Sequence, residues 1–213
     1  MKAVVYHNFG SPGDQVFGTC AGAFAEFAVT KSASGLKSVL VIKPDTVTHE
    51  QAASAPVAAL TALQGLRDKG RVRPGQKVLV NGAAGGVGTF AVQIAKSFGA
   101  DVTGICSTRN VDMVRSIGAD RVIDYSQQNP TQTVQRYDVI LDCVGNRSFS
   151  EWRRVLNPKG ILVGVGAPPD VPLSRLLAGL IGALVQSAFV RQKVAVFMAG
   201  VNQQDLITVG GLL

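Results

Sequence analysis

The stretch Lys77–Lys96, KVLVNGAAGGVGTFAVQIAK, runs from an apolar segment through a cluster of glycines into an amphipathic pattern. Val78, Leu79 and Val80 form a β-branched-rich run of the kind that a strand buried on both faces requires. Gly82, Gly85, Gly86 and Gly88 permit a tight turn and a close backbone approach. Phe90, Ala91, Ile94 and Ala95 then repeat at helical spacing. Strand, glycine turn and helix in this order aim the helix's free N–H groups and positive dipole end at the turn. A dinucleotide's pyrophosphate is stabilised at such a place.

At 213 residues the chain can bury a full core, as one large domain or one domain with a small appendage. Hydrophobic residues make up 46% and charged ones 16%, with 24 glycines, a balance that suits a buried parallel sheet with many strand-to-helix turns. The net charge of +7 favours anionic ligands, a phosphorylated cofactor among them. Basic residues crowd between Arg67 and Lys77 without interleaved aromatics, so they read as a solvated helix end and loop, and no nucleic-acid partner is expected.

Cys20, Cys106 and Cys143 are odd in number and lack a C-x-x-C pairing, which points to a reduced, cytoplasmic protein without structural disulfides. With two histidines and no cluster of Cys, His and carboxylates, no metal site is expected. No signal peptide is evident in MKAVVYHNFG. The apolar stretch from Leu173 to Val190 is interrupted by Arg175, Gln186 and two glycines, and Pro172 precedes it at a natural helix start. It reads as a buried or interface helix rather than a membrane span.

Residues 1–45 are β-rich, with strands expected at Met1–Tyr6 and Phe24–Val29 and a turn at Phe9–Asp14. Thr48, with Gln51 three residues on, has capping-box spacing and opens a helix that is expected to end at Pro56. A second helix is expected over Val57–Asp68. Strands and helices then alternate. The strands expected are Lys77–Asn81, Asp101–Cys106, Arg121–Asp124, Val139–Cys143, Gly160–Gly164 and Lys193–Met198. Between them, helices are expected at Gly86–Phe98, Val111–Ile117, Phe149–Leu156 and Leu176–Phe189, with a short turn near Thr131–Gln135. The fold class is therefore α/β, a doubly wound six-stranded parallel (Rossmann) sheet.

The run NGAAGGVGTFAVQIAKSFGADVTGICST, with DYS, LDCVGN, LNPKGILVGVG, GDQVFGTCAGAFAEFAV and AASAPVAALTALQGL, resembles the zinc-free, quinone oxidoreductase-like branch of the medium-chain dehydrogenase/reductase superfamily. The resemblance covers nearly the whole chain and implies a NADPH-dependent oxidoreductase. Its substrate would be a quinone or an α,β-unsaturated carbonyl. In the family, a long β-rich stretch separates a first strand like Met1–Tyr6 from the GDQVFG segment, whereas Ser11-Pro12-Gly13 joins them directly here. Residues 1–45 are thus expected to be a truncated β-rich remnant of the GroES-like catalytic domain, and residues 46–213 the dinucleotide-binding domain. A competing reading is a non-catalytic NADP-binding or dimerisation module, with a homodimer formed through the edge strand Lys193–Met198. The shortened domain would leave apolar surface on Ala52–Leu66 and around Phe24 and Phe27 uncovered.

In the glycine turn the resemblance places Ala83 first, then Gly85 and Gly88, while Gly86 and Val87 offer backbone N–H groups. The second strand ends at Ile105-Cys106 and is followed by Ser107-Thr108-Arg109-Asn110, with no acid there, where a carboxylate would hold the ribose of NAD. Ser107 and Arg109 instead suit a 2′-phosphate, which favours NADP(H); the rival reading has Arg109 simply starting a helix in solvent. Tyr125 lines the adenosine phosphate in related proteins, or is an amphipathic residue at the core's edge. Nicotinamide is expected beyond the fourth and fifth strands, at Cys143, Val144 and Gly145 and at Gly164, Val165 and Gly166. Cys143 reads as a packing residue rather than a nucleophile. Thr61 either approaches the nicotinamide side or bonds its own helix backbone. No catalytic residue is identified.

Overall fold

The computed structural model describes residues 2–3, 14–20, 27–28, 39–166 and 172–212. Two compact units divide the chain: Met1–Thr61 with Ala199–Leu213, and Ala62–Met198. The division falls sixteen residues after the expected boundary at 45/46, and the C-terminal segment groups with the first unit.

In the first unit, β1 (Lys2–Ala3) pairs in parallel with β3 (Phe27–Ala28), and β2 (Val16–Thr19) pairs antiparallel with β4 (Val39–Ile42). The rest of the expected strands Met1–Tyr6 and Phe24–Val29, and most of the turn at Phe9–Asp14, lie outside the described residues. The helix α6 (Gln203–Gly210) is capped by Asn202, whose side chain accepts from the Asp205 N–H.

The helix α1 (His49–Gln64) begins with the capping box read from sequence: the Gln51 N–H donates to Thr48 Oγ1 at 3.2 Å, and the Thr48 N–H to Gln51 Oε1 at 2.9 Å. It does not stop at Pro56. The chain runs straight through, giving up the hydrogen bond that Pro56 cannot donate, and ends in a π-helical turn over Gly65–Lys69. Compensation comes from burial, since Ala52, Ala55, Ala59, Leu60, Ala62, Leu63 and Leu66 are all buried. The expectation that this face lies uncovered is therefore wrong. The side chains of Phe24 and Phe27 lie outside those described.

The second unit is built on six parallel strands: β5 (Lys77–Asn81), β6 (Asp101–Cys106), β7 (Arg121–Asp124), β8 (Tyr137–Asp142), β9 (Leu156–Gly164) and β10 (Lys193–Val196). Their spatial order is β10-β9-β8-β5-β6-β7. This is the doubly wound dinucleotide order, with its switch point between β5 and β8. The connecting helices are α2 (Gly86–Ser97), α3 (Val111–Ser116), α4 (Phe149–Trp152) and α5 (Leu173–Ala188). Val78, Leu79, Val80, Ile140 and Leu141 have no exposure, as strands covered on both faces require.

The first three strands of this sheet coincide with those read from sequence; the later ones differ at their ends. Strand β9 starts at Leu156 rather than Gly160, because Asn157-Pro158-Lys159 is taken up as an irregularity between the pairs Tyr137↔Leu156 and Val139↔Ile161. The helix α4 stops at Trp152, α5 begins at Leu173, β10 stops at Val196, and the chain turns at 130–132, where the Gln132 N–H donates to the Asn129 carbonyl. Among the described residues no helix is long and apolar enough to cross a membrane.

An ion pair joins α2 to the turn before β7: Lys96 Nζ donates to both Asp120 oxygens at 2.8 Å, and the Val102 N–H donates to Oδ2 at 2.7 Å. Burial raises the Asp120 carboxyl, but the bonds to Lys96 and Val102 outweigh it, so its pKa lies below the usual carboxylate value. A lowered pKa stabilises the folded state above the unfolded carboxyl's titration, and that contribution fades as the folded pKa is crossed on acidification. At neutral pH, Asp120→Asn should cost up to about 1 kcal/mol. Urea melts of both proteins should converge below about pH 4, and a difference independent of pH would contradict this assignment.

Candidate functional site

The site begins where β5 ends. Gly82 follows Asn81 with φ of +81°, a conformation that glycine adopts without strain, and a Cβ there would meet Val144 Cγ2 at 2.7 Å. The Ala83 N–H donates to the Ile105 carbonyl at 2.9 Å, which closes the turn over β6 and leaves Ala83 fully buried. A Cβ on Gly88 would overlap the Gly82 carbonyl oxygen, so α2 starts directly against the turn. Gly85 differs: it is exposed, and a Cβ on it would meet no protein atom closer than the Gly82 oxygen at 3.3 Å. Gly88 is thus required by packing, whereas the space in front of Gly85 opens outward.

The first hydrogen bond of α2 runs from the Thr89 N–H to the Gly85 carbonyl at 2.9 Å, and no side chain caps the helix. The N–H groups of Gly86, Val87 and Gly88 therefore precede the first intrahelical donor. They face the turn with the dipole's positive end behind them. This cradle fits a pyrophosphate, and its floor of glycines leaves room for one.

At the far end of β6, Ser107 begins a turn of 3-10 helix over Thr108–Asn110. Asn110 Nδ2 donates to Ser107 Oγ at 3.2 Å, which leaves the Ser107 hydroxyl hydrogen for another acceptor. Arg109 is exposed and makes no hydrogen bond or ion pair among the described residues. Tyr125 follows β7 and is 57% exposed, with its N–H donating to the Cys106 carbonyl at 3.1 Å. Ser107, Arg109 and Tyr125 are therefore gathered at the carboxyl ends of two paired strands.

The end of the crevice beside β8 and β9 is organised by a residue that the sequence did not single out. Asp142, 4% exposed, accepts at Oδ1 from Asn81 Nδ2 at 2.7 Å, from the Val144 N–H at 3.1 Å and from the Gly145 N–H at 2.9 Å. Its Oδ2 accepts from Trp152 Nε1 at 2.9 Å. The backbone adds further ties, from the Cys143 N–H to Asn81 O at 3.1 Å and from the Val165 and Gly166 N–H groups to Asp142 O at 3.0 and 3.2 Å. Cys143, Val144, Gly145, Val165 and Gly166 thus form one continuous rim beside Gly82. Burial pushes the Cys143 thiol up to about 12, with the charge of Asp142 adding to the shift, so the thiol is protonated at neutral pH.

Thr61 lies in the first unit, and its hydroxyl donates to the Val57 carbonyl at 2.8 Å. That is the bond of a helix-interior threonine to its own backbone. Among the described residues no group of three His, Cys, Asp or Glu could hold a metal ion.

A sequence model of the family described as zinc-binding dehydrogenase matches residues 86–203. The NAD(P)H oxidoreductase RTN4IP1, mitochondrial, of Homo sapiens is 41% identical over 154 residues, covering 66% of this chain and 37% of that protein. The trans-enoyl reductase pgmF of Aspergillus terreus is 38% identical over 171 residues, covering 76% of this chain and 47% of that one. The solved quinone oxidoreductase from Coxiella burnetii superposes with a TM-score of 0.68 at 28% identity, over 82% of this chain and 52% of its own. The chain thus spans less than half the length of these curated relatives.

The four groups that point at Asp142 are all pure donors, two backbone N–H groups, an amide NH2 and an indole N–H. Either orientation of an asparagine there would set its own NH2 against at least one of them. Asp142→Asn should therefore cost about 2–4 kcal/mol in urea unfolding at neutral pH, and a loss under about 1 kcal/mol would show that the carboxylate is not the tie described.

Proposed function

The chain belongs to the zinc-independent, quinone oxidoreductase-like branch of the medium-chain dehydrogenase/reductase superfamily, and from that premise we propose that it is a NADPH-dependent oxidoreductase. The acceptor class is a quinone or an α,β-unsaturated carbonyl. One observation supports this most strongly: a glycine cradle with uncapped N–H groups at one end of a crevice, and at the other an exposed arginine beside Ser107 that has no partner among the described residues. Such a crevice outside the carboxyl ends of the strands, at the switch point, suits a dinucleotide laid across the sheet.

When bound, the nicotinamide supplies the hydride. The chain's own part is to bind and to orient. The N–H groups of Gly86 and Val87 take the pyrophosphate, Ser107 and Arg109 take the 2′-phosphate, and the rim 143–145 with 165–166 sets the face of the ring. The thiol of Cys143 stays protonated and contributes packing. Catalysis by such a site rests on positioning.

The same reading extends to assembly as a homodimer. Among the described residues strand β10 ends the sheet with no strand on its outer edge, and Ile181, Val185, Phe189, Val196 and Met198 are exposed large apolar residues on or next to α5 and β10. A second copy joined through Lys193–Met198 would continue the sheet and cover them. Sedimentation should give a dimer that Val196→Lys shifts toward monomer, and a monomeric parent protein at high concentration would refute the assembly.

Fluorescence titration with NADPH, followed by a panel of quinones and enones, tests the function itself. Saturable binding followed by oxidation is expected. Gly85→Val, which meets little protein, should abolish binding with little change in melting temperature. Tight binding retained in this variant would count against the site. Binding without turnover of any acceptor would favour a non-catalytic NADP-binding module.

A further inference from the structure

We propose that Asp124 sets how sharply the site discriminates NADPH from NADH, acting as a counterweight to Arg109; the inference rests on the dinucleotide reading above. The turn Ser107–Asn110 contains no acid, and the next one along the chain, Asp112, is paired with Arg115 at 3.5 Å, so along the chain the turn itself reads as cationic. Strand pairing changes this. In the register of β6 with β7, Cys106 lies opposite Asp124, so both strands end at the same edge and Asp124 stands beside the turn that carries Ser107 and Arg109.

Side-chain bonds fix it there. Thr108 Oγ1 donates to Asp124 Oδ2 at 2.6 Å, and the Ser126 N–H donates to Oδ1 at 2.8 Å. Thr108 is the immediate neighbour of both Ser107 and Arg109, so the acid is bound to the middle of the turn. The Thr108 hydroxyl, aided by Ser126, holds the carboxyl below its usual range, and Asp124 is charged at neutral pH. Among the described residues neither Arg109 nor Asp124 takes part in an ion pair, and the bonds to Asp124 come from neutral groups.

The two cofactors differ only at the ribose 2′ position. A 2′-phosphate carries up to two negative charges, is attracted by Arg109 and is repelled by Asp124; a 2′-hydroxyl is neutral and can donate to a carboxylate. Discrimination is then the difference between two opposing terms. NADPH is preferred through Arg109 and Ser107, and Asp124 narrows the margin so that NADH is still accepted.

Asparagine is a clean replacement at this position. Its Oδ1 can accept from the Ser126 N–H while its Nδ2 donates to Thr108 Oγ1, which a hydroxyl allows because it both donates and accepts. Charge is lost and the bonds are kept. Dissociation constants for NADPH and NADH, measured by fluorescence with the full chain at low ionic strength, give the test. Asp124→Asn should raise the NADPH-over-NADH preference about tenfold, mainly by tightening NADPH. Asp124→Glu, which keeps the charge, should stay within about threefold of the parent, and Arg109→Ala should move the preference the other way. The Asn effect should shrink in high salt, as a rim electrostatic term must.

Asp124→Ser replaces the amide if that variant folds poorly. A preference unmoved by Asp124→Asn or Asp124→Ser in a protein that binds both cofactors would overturn the inference alone. An equal shift in Asp124→Glu would do the same, by tracing the effect to shape rather than charge. Failure of the parent protein to bind either dinucleotide would overturn the dinucleotide reading, and this inference with it.

Discussion

Four N–H groups converge on the carboxylate of Asp142, and most of the second unit's geometry depends on that meeting. Asn81 and Asp142 are register partners on β5 and β8, the two strands between which the sheet's winding direction reverses. A parallel sheet necessarily leaves backbone groups unpaired where its strands end, and at a switch point the loops diverge and leave a crevice. Asp142 satisfies the donors on both walls. The loop after β8, the start of the glycine turn and the short helix α4 are thereby fixed relative to one another without a single long-range ion pair.

The glycines of the turn divide their work. Gly88 is required by the fold, because α2 starts against the Gly82 carbonyl and any side chain would separate them. Gly85 is spared by the fold, since its missing side chain faces outward. Such a glycine, at the exposed start of an uncapped helix, leaves the approach to the helix's first N–H groups open, as the proposed anion site requires. Sequence spacing treats the two alike, and only the surroundings separate them.

Strands β5 and β6 were legible because each is a short run buried on both faces and bounded by turn residues, and such burial is written in composition, while the edge strand β7 shows only Val122 and Ile123 between two charged ends. Legibility failed where a local signal met a tertiary one. Pro56 reads as a helix end, but the alanines and leucines around it are buried, and that packing carries the helix through. Leu156 was expected to end a helix, but its pairing with Tyr137 draws the chain into β9 four residues before Gly160. The chemistry divides in the same way. Gly85, Ser107 and Arg109 could be named as candidates from the chain alone, whereas the bonds of Asp124 and Asp142 reach partners up to 61 residues away, which no pattern along the chain displays.

The indole of Trp152 is fully buried and hydrogen-bonded to the carboxylate that also holds Val144 and Gly145. It is the one tryptophan in the chain. An indole N–H bound to a charged oxygen emits according to the field and rigidity of that bond, so intrinsic emission comes from a single site wired to the rim of the crevice. The protein carries its own optical probe. Under folding conditions, emission excited at the indole reports the state of the bond that also ties the loop at 143–145, without a label and without a reaction to follow.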